Sequence, residues 1–283
     1  MGLRHAYRFL RQDLPGLTLL KTRHRKVHAH IVTLHQSGSH WLNFMLADRL
    51  QEQYGLPELD HIRDRSIIGR PQDAIVHPQI PRIVQSHAIP SPLVHCRPLP
   101  SLLRFPKYVL LIRDLRACLV SYFEKSKELE PFRISFSQFL RNERVIGNLI
   151  RRDLWNRIRF LNAWSRDRDR LPAAQLIVVR YEDLKAAPAP QLARVWDFLG
   201  LPPREADFFE RAVAAASKDR MSRSENPREN LKIVRASQRH PFEWFDDADR
   251  RFFTRAVTDH LRDWSGYRYD DWSPERDARE EAA

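Results

Sequence analysis

Residues 27–55 read VHAHIVTLHQSGSHWLNFMLADRLQEQYG, and three kinds of chain follow one another in them. Val27 to Leu34 is an apolar, β-branched run of strand length. His35-Gln36-Ser37-Gly38-Ser39 is a short polar turn, and from Trp41 onward the apolar residues recur at helical spacing. A strand, loop and helix in that order point the first helical N–H groups and the positive end of the helix dipole at one spot, which suits a phosphate. Gly38 lets the backbone come close, and Ser37 and Ser39 carry hydroxyl donors. On these residues alone, an ordinary turn with Ser39 as helix N-cap accounts for the loop equally well. The nucleotide triphosphatase pattern GxxxxGK[ST] is absent.

Working outward, three more stretches read as strands: RIVQSHA (82–88), KYVLLIRD (107–114) and QLIVVRYEDL (175–184). Their largely unbroken apolar cores fit a parallel sheet covered on both faces. Helical periodicity dominates 115–128, much of 137–169, 190–199, 204–217 and 247–264. Strands alternating with helices predict one α/β domain of three layers, with a mostly parallel central sheet and a P-loop-like entry. The expected organisation is a basic N-terminal leader at 1–27, the domain at 28–272 and a polar C-terminal tail at 273–283.

The chain has 283 residues, 42% of them hydrophobic, enough for a sizeable core. The formal net charge is +12, so anions are the expected partners. Basicity alone also raises a nucleic-acid-binding reading, but no recognition motif accompanies it, and no nucleic-acid partner is expected. Cys96 and Cys118 are too few for a disulfide framework and lack metal-ligand spacing, so no metal is expected. Without an apolar run of spanning length or a secretory signal, the expected location is the cytoplasm, with no transmembrane segment.

Four segments in order, between about residues 30 and 185, resemble the sulfotransferases that use 3′-phosphoadenosine 5′-phosphosulfate (PAPS). Gln36-Ser37-Gly38-Ser39-His40-Trp41 is similar to that family's K-S-G-T-T-W loop, which binds the 5′-phosphosulfate end while its tryptophan packs on adenine. Gln85-Ser86-His87 resembles the K-T-H segment, whose histidine is the general base. Arg113 and Ser121, eight apart, match R-x-x-R-D-x-x-x-S, which grips the 3′-phosphate. Ala117 departs from the usual aspartate there. Tyr181-Glu182-Asp183-Leu184 resembles Y-E-D-L, whose tyrosine approaches the adenine. Its acidic pair is expected to cap the following turn. Further on, Arg235 is the counterpart of an Arg-Lys-Gly loop, and Ser217 and Met221 partly echo a segment flanking the adenine.

The resemblance implies PAPS as donor co-substrate and a small-molecule or glycan hydroxyl, or an amine, as acceptor. His87 would be the base, Ser37 to His40 would hold the 5′-phosphate, and Trp41 and Tyr181 would flank the adenine. Arg113, Ser121 and Arg235 would hold the 3′-phosphate. Gln36 stands where the family places a lysine or arginine that neutralises the departing oxygen. Loss of such a charge-assisted donor lowers a rate by about 10²-fold or more. One alternative is therefore a PAPS- or PAP-binding protein with impaired catalysis, where PAP is the desulfated 3′-phosphoadenosine 5′-phosphate. A P-loop kinase is another. Residues 51–81, the loop after His87 and residues 132–150 are expected to shape the acceptor pocket, and the sequence leaves the oligomeric state open.

Overall fold

A computed structural model of the chain describes residues 27–58, 65–90, 106–129, 134–141, 153–168, 170–223, 239–263 and 265–273. Arg235, nearly all of the leader and tail, most of the loop after His87 and most of 132–150 lie outside them. In chain order come β1 (Ala29–Thr33), α1 (Ser39–Tyr54), β2 (Ile68–Gly69), β3 (Ile83–Ser86), β4 (Lys107–Ile112), α2 (Leu115–Leu129), α3 (Phe136–Arg141) and α4 (Leu154–Arg168). After them come β5 (Leu176–Arg180), α5 (Tyr181–Ala186), α6 (Pro188–Leu199), α7 (Ala206–Ala215), α8 (Lys218–Arg223), a 3-10 turn (Pro241–Trp244) and α9 (Asp247–His260).

The strands form one sheet in the order β2-β3-β1-β4-β5, and every pairing is parallel. Side chains alternate across the sheet and feed two cores. Val32, Leu34, Tyr108, Leu110 and Ile112 pack under α2, α3, α4 and α9. On the other face Ala29, Ile31, Ile83, Val109, Leu111 and Val179 pack under α1, α6 and α7. Burial on both sides explains why these strands lack polar alternation.

The central strand β1 has β3 on one side and β4 on the other, so the chain leaves its end at the point where the sheet order reverses. In open parallel sheets the crevice for a ligand lies there, beyond the strands' carboxyl ends. The four motifs follow β1, β3, β4 and β5, which are adjacent strands, so their loops gather along one edge of the sheet.

Two details correct the expectations. The strand reading through Leu184 is too long: β5 stops at Arg180, and Tyr181 opens helix α5. Gly38, in the left-handed region at φ 84°, is the N-cap of α1, and Ser39 is already helical.

Behind the site, Asp114 and Arg116 form a buried ion pair at 2.6 Å, 8% and 4% exposed respectively. Asp114 also accepts from the Arg116 and Ala117 N–H groups and so caps α2. The Arg116 guanidinium lies 4.0 Å from the Phe242 ring centroid and 5.1 Å from that of Trp272, and it donates to the Asp271 carbonyl. Removing one member of a buried pair strands the other, so Arg116→Ala should cost about 3–5 kcal/mol of stability in urea unfolding. A loss below about 1 kcal/mol would contradict the account.

Candidate functional site

The turn after β1 is built by a few bonds. Ser37 donates both its N–H (3.2 Å) and its hydroxyl (2.6 Å) to the Leu34 carbonyl. That serine is fully buried, so its expected hydroxyl contact to a phosphate gives way to a turn-forming role. Trp41 and Leu42 donate to the Gly38 carbonyl and begin the helical ladder. The N–H groups of Gly38, Ser39 and His40 precede that ladder, in the position helices use to bind anions. Gln36 is held at φ 67°, a region that few residues other than glycine adopt.

Arg113 leaves the end of β4 and donates to the Gln36 carbonyl at 3.1 Å. Its guanidinium carbon lies 4.4 Å from the centroid of the Tyr181 ring. The same ring closes on the glycine: a Cβ at Gly38 would come within 2.4 Å of Tyr181 Cδ2. Trp41 meets Tyr181 edge-on with centroids 6.2 Å apart, and its indole N–H donates to the Ala216 carbonyl at 3.1 Å. This bond brings the start of the segment holding Ser217 and Met221 beside the tryptophan. Cys118 reaches the Gln36 carbonyl with its sulfur at 3.6 Å. Ser121 lies three residues on from Cys118 along α2, on the same side of the helix.

His87 is exposed and follows directly after β3. Its Nδ1 lies 2.8 Å from the Thr33 carbonyl and 3.0 Å from the Thr33 hydroxyl. Because a carbonyl only accepts, we assign the proton to Nδ1, which leaves the lone pair of the neutral ring on Nε2. The His35 ring lies against it, with centroids 3.8 Å apart. Close by, Asn43 donates to the Gln85 side chain at 2.8 Å.

Glu182, in the first turn of α5, does more than serve that turn: its carboxylate accepts from the Asp114 N–H at 3.1 Å and the Tyr267 hydroxyl at 2.6 Å. Burial raises its pKa even though both bonds pull it down. The glutamate thus ties α5 to the start of α2 and to the C-terminal segment.

Sequence reading also missed Thr33 and Arg157. Thr33 looks like any strand residue and gives no signal of its own. Arg157 gave one, since it shares a helical face with Leu154, Ile158 and Leu161, where an apolar residue belongs.

With this geometry in view, comparison with known proteins is direct. The sulfotransferase domain profile matches residues 26–273. The chain belongs to the sulfotransferase family. A mouse sulfotransferase complexed with PAP shares its fold at a TM-score of 0.59 and 14% identity, covering 88% of this chain and 90% of that one. A retinol dehydratase in complex with retinol and PAP aligns at a TM-score of 0.52 and 14% identity, over 90% and 88% of the two chains. The same enzyme's complex with androsterone and PAP gives 0.53 and 15%, over 91% and 88%. A search of curated proteins finds no match. Among the described residues of this sulfotransferase, no helix is long and apolar enough to cross a membrane.

Proposed function

We propose that this sulfotransferase moves a sulfuryl group from PAPS to a hydroxyl, or an amine, of a small-molecule or glycan acceptor, with His87 as general base. One observation carries the reading: Arg113 donates to the Gln36 carbonyl and packs on Tyr181, while Tyr181 closes on Gly38. Three of the four motifs thereby meet at one helix N-terminus. The PAP complexes of proteins that share the fold support the choice of nucleotide.

In this reading the N–H groups of Gly38, Ser39 and His40 hold the 5′-phosphate, and Trp41 and Tyr181 flank the adenine. Arg113 and Ser121 hold the 3′-phosphate, joined by Arg235. His87 Nε2 takes the proton of the acceptor hydroxyl as its oxygen forms a bond to sulfur. The bond from sulfur to the 5′-phosphate oxygen breaks in the same step, and that oxygen takes its electron pair. Helix N–H donors already aimed at the charge stabilise it without rearranging. Catalysis then rests on in-line positioning and charge stabilisation more than on covalent help. Retinol and androsterone, bound by a protein of the same fold, favour a small-molecule acceptor.

Gln36 favours a second reading, a nucleotide binder with impaired transfer, because its amide brings no charge to the leaving oxygen. Two measurements apply, one to the nucleotide site that both readings share and one to the transfer step that divides them. Thermal shifts with PAP should exceed those with ATP or AMP, since a bound ligand stabilises the fold in proportion to its affinity. Equal or larger shifts with ATP would argue against the donor assignment. In transfer assays over an acceptor panel, Gln36→Lys should then raise kcat by about 10²-fold. Native turnover that Gln36→Lys leaves unchanged would exclude the impaired reading.

A further inference from the structure

Behind the phosphate loop lies a guanidinium to which none of the four motifs assigns a role. Arg157 rises from α4, only 2% exposed, and donates to the His35 carbonyl at 2.7 Å and to the Cys118 carbonyl at 3.3 Å. Arg113 holds the next carbonyl, that of Gln36. Two consecutive loop carbonyls are therefore gripped by two arginines from different elements. Between the two lies Cys118, with its sulfur on the Gln36 carbonyl. Burial pushes that thiol up to about 11 although both guanidiniums pull it down.

Burying an arginine removes a charge from water, a cost that its interactions must offset, among them the two carbonyl bonds that join α4 to α2 and to the loop. Packing alone would be served by a leucine on this apolar face. The arginine's position is informative because the loop from Thr33 to Trp41 contains no lysine or arginine of its own. Its carbonyl grip also accounts for Gln36 at φ 67°: with the carbonyls of residues 35 and 36 both held inward, the turn has little freedom to relax.

We propose that Arg157 is a positioning residue for the phosphate loop, fixing its turn through the His35 carbonyl and placing a permanent positive charge behind the donors that receive the 5′-phosphate. This inference rests on the PAPS reading. It predicts a loss that depends on which phosphate a ligand carries, because the His35 carbonyl that Arg157 holds belongs to the turn assigned to the 5′-phosphate.

The test compares PAP with adenosine 3′-phosphate, which lacks the 5′ group, by calorimetry on the full chain. Arg157→Gln should weaken PAP by about tenfold or more and leave adenosine 3′-phosphate within about twofold. Adding Gln36→Lys to Arg157→Gln should restore most of the PAP affinity. Arg157→Lys keeps the charge but has one donor group, and should show a smaller loss with the same 5′ selectivity. It carries the test should the glutamine variant not fold. Equal weakening of both nucleotides, or a lowered Tm with unchanged affinities, would reduce Arg157 to a packing role and overturn the inference. If the native protein shows no preference for PAP, the underlying PAPS reading fails instead.

Discussion

Replacing His87 with alanine should lower kcat by about 10²- to 10⁴-fold, the range a positioned general base contributes, while PAP affinity stays within about twofold. The split follows from where the residue sits. His87 follows β3 and meets the end of β1 only through the Thr33 carbonyl and hydroxyl and the face of the His35 ring. None of those contacts involves the N–H groups of Gly38, Ser39 and His40, to which the proposed function assigns the 5′-phosphate. The orientation of the ring matters as much as its presence, because the Thr33 carbonyl holds Nδ1 and leaves Nε2 for the proton transfer proposed above. Steady-state kinetics paired with PAP calorimetry measures both quantities. A kcat within threefold of native would remove His87 from the chemistry, and a parallel loss of PAP affinity would make its role structural.

The second large effect is expected at Gly38. An alanine there must adopt a φ of 84° and bring its Cβ to 2.4 Å from the Tyr181 ring. The left-handed conformation costs about 1–2 kcal/mol for a residue with a side chain. Displacing a ring that is packed against Arg113 and Trp41 adds about 1 kcal/mol more. Together these amount to a PAP dissociation constant roughly 30-fold higher or more, if the strain falls on the bound state. Gly55→Ala is the matched control. Gly55 ends α1 at φ 61° with open space where the Cβ would go, so it tests the backbone cost without the clash. PAP affinity should survive Gly55→Ala. Equal effects of the two substitutions, or a Gly38→Ala affinity within threefold of native, would contradict the tight approach of Tyr181.

Four of the five strands could be read from the chain because each is a β-branched run covered on both faces, which leaves an apolar signature that polar alternation would have obscured. β2 could not, since the two residues Ile68 and Gly69 carry no periodicity. The end of β5 was misjudged for a tertiary reason. Tyr181 continues an apolar-looking stretch, but it must turn back onto Gly38, and that contact starts a helix. In the site, residues that resemble a known motif were legible by type and spacing. Those that act through backbone atoms were not. Arg157 grips the His35 carbonyl and Thr33 supplies the carbonyl that holds His87, and a carbonyl leaves no trace in the identity of the residue that owns it. Glu182 was noticed for its charge, but its bond to Tyr267 left no sign, because the two lie 85 positions apart.

The distance along the chain between Arg116 and its partners has a consequence for biosynthesis. The guanidinium at the start of α2 is enclosed by Phe242, Tyr269 and Trp272, and the last of these follows it by more than 150 residues. Tyr267 likewise completes the carboxylate contact of Glu182. On the ribosome, the edge of the sheet proposed to bind the nucleotide emerges long before the aromatic residues that lock it from behind. Newly made chains should therefore acquire nucleotide affinity late and abruptly, when the segment around Tyr267 to Trp272 leaves the exit tunnel.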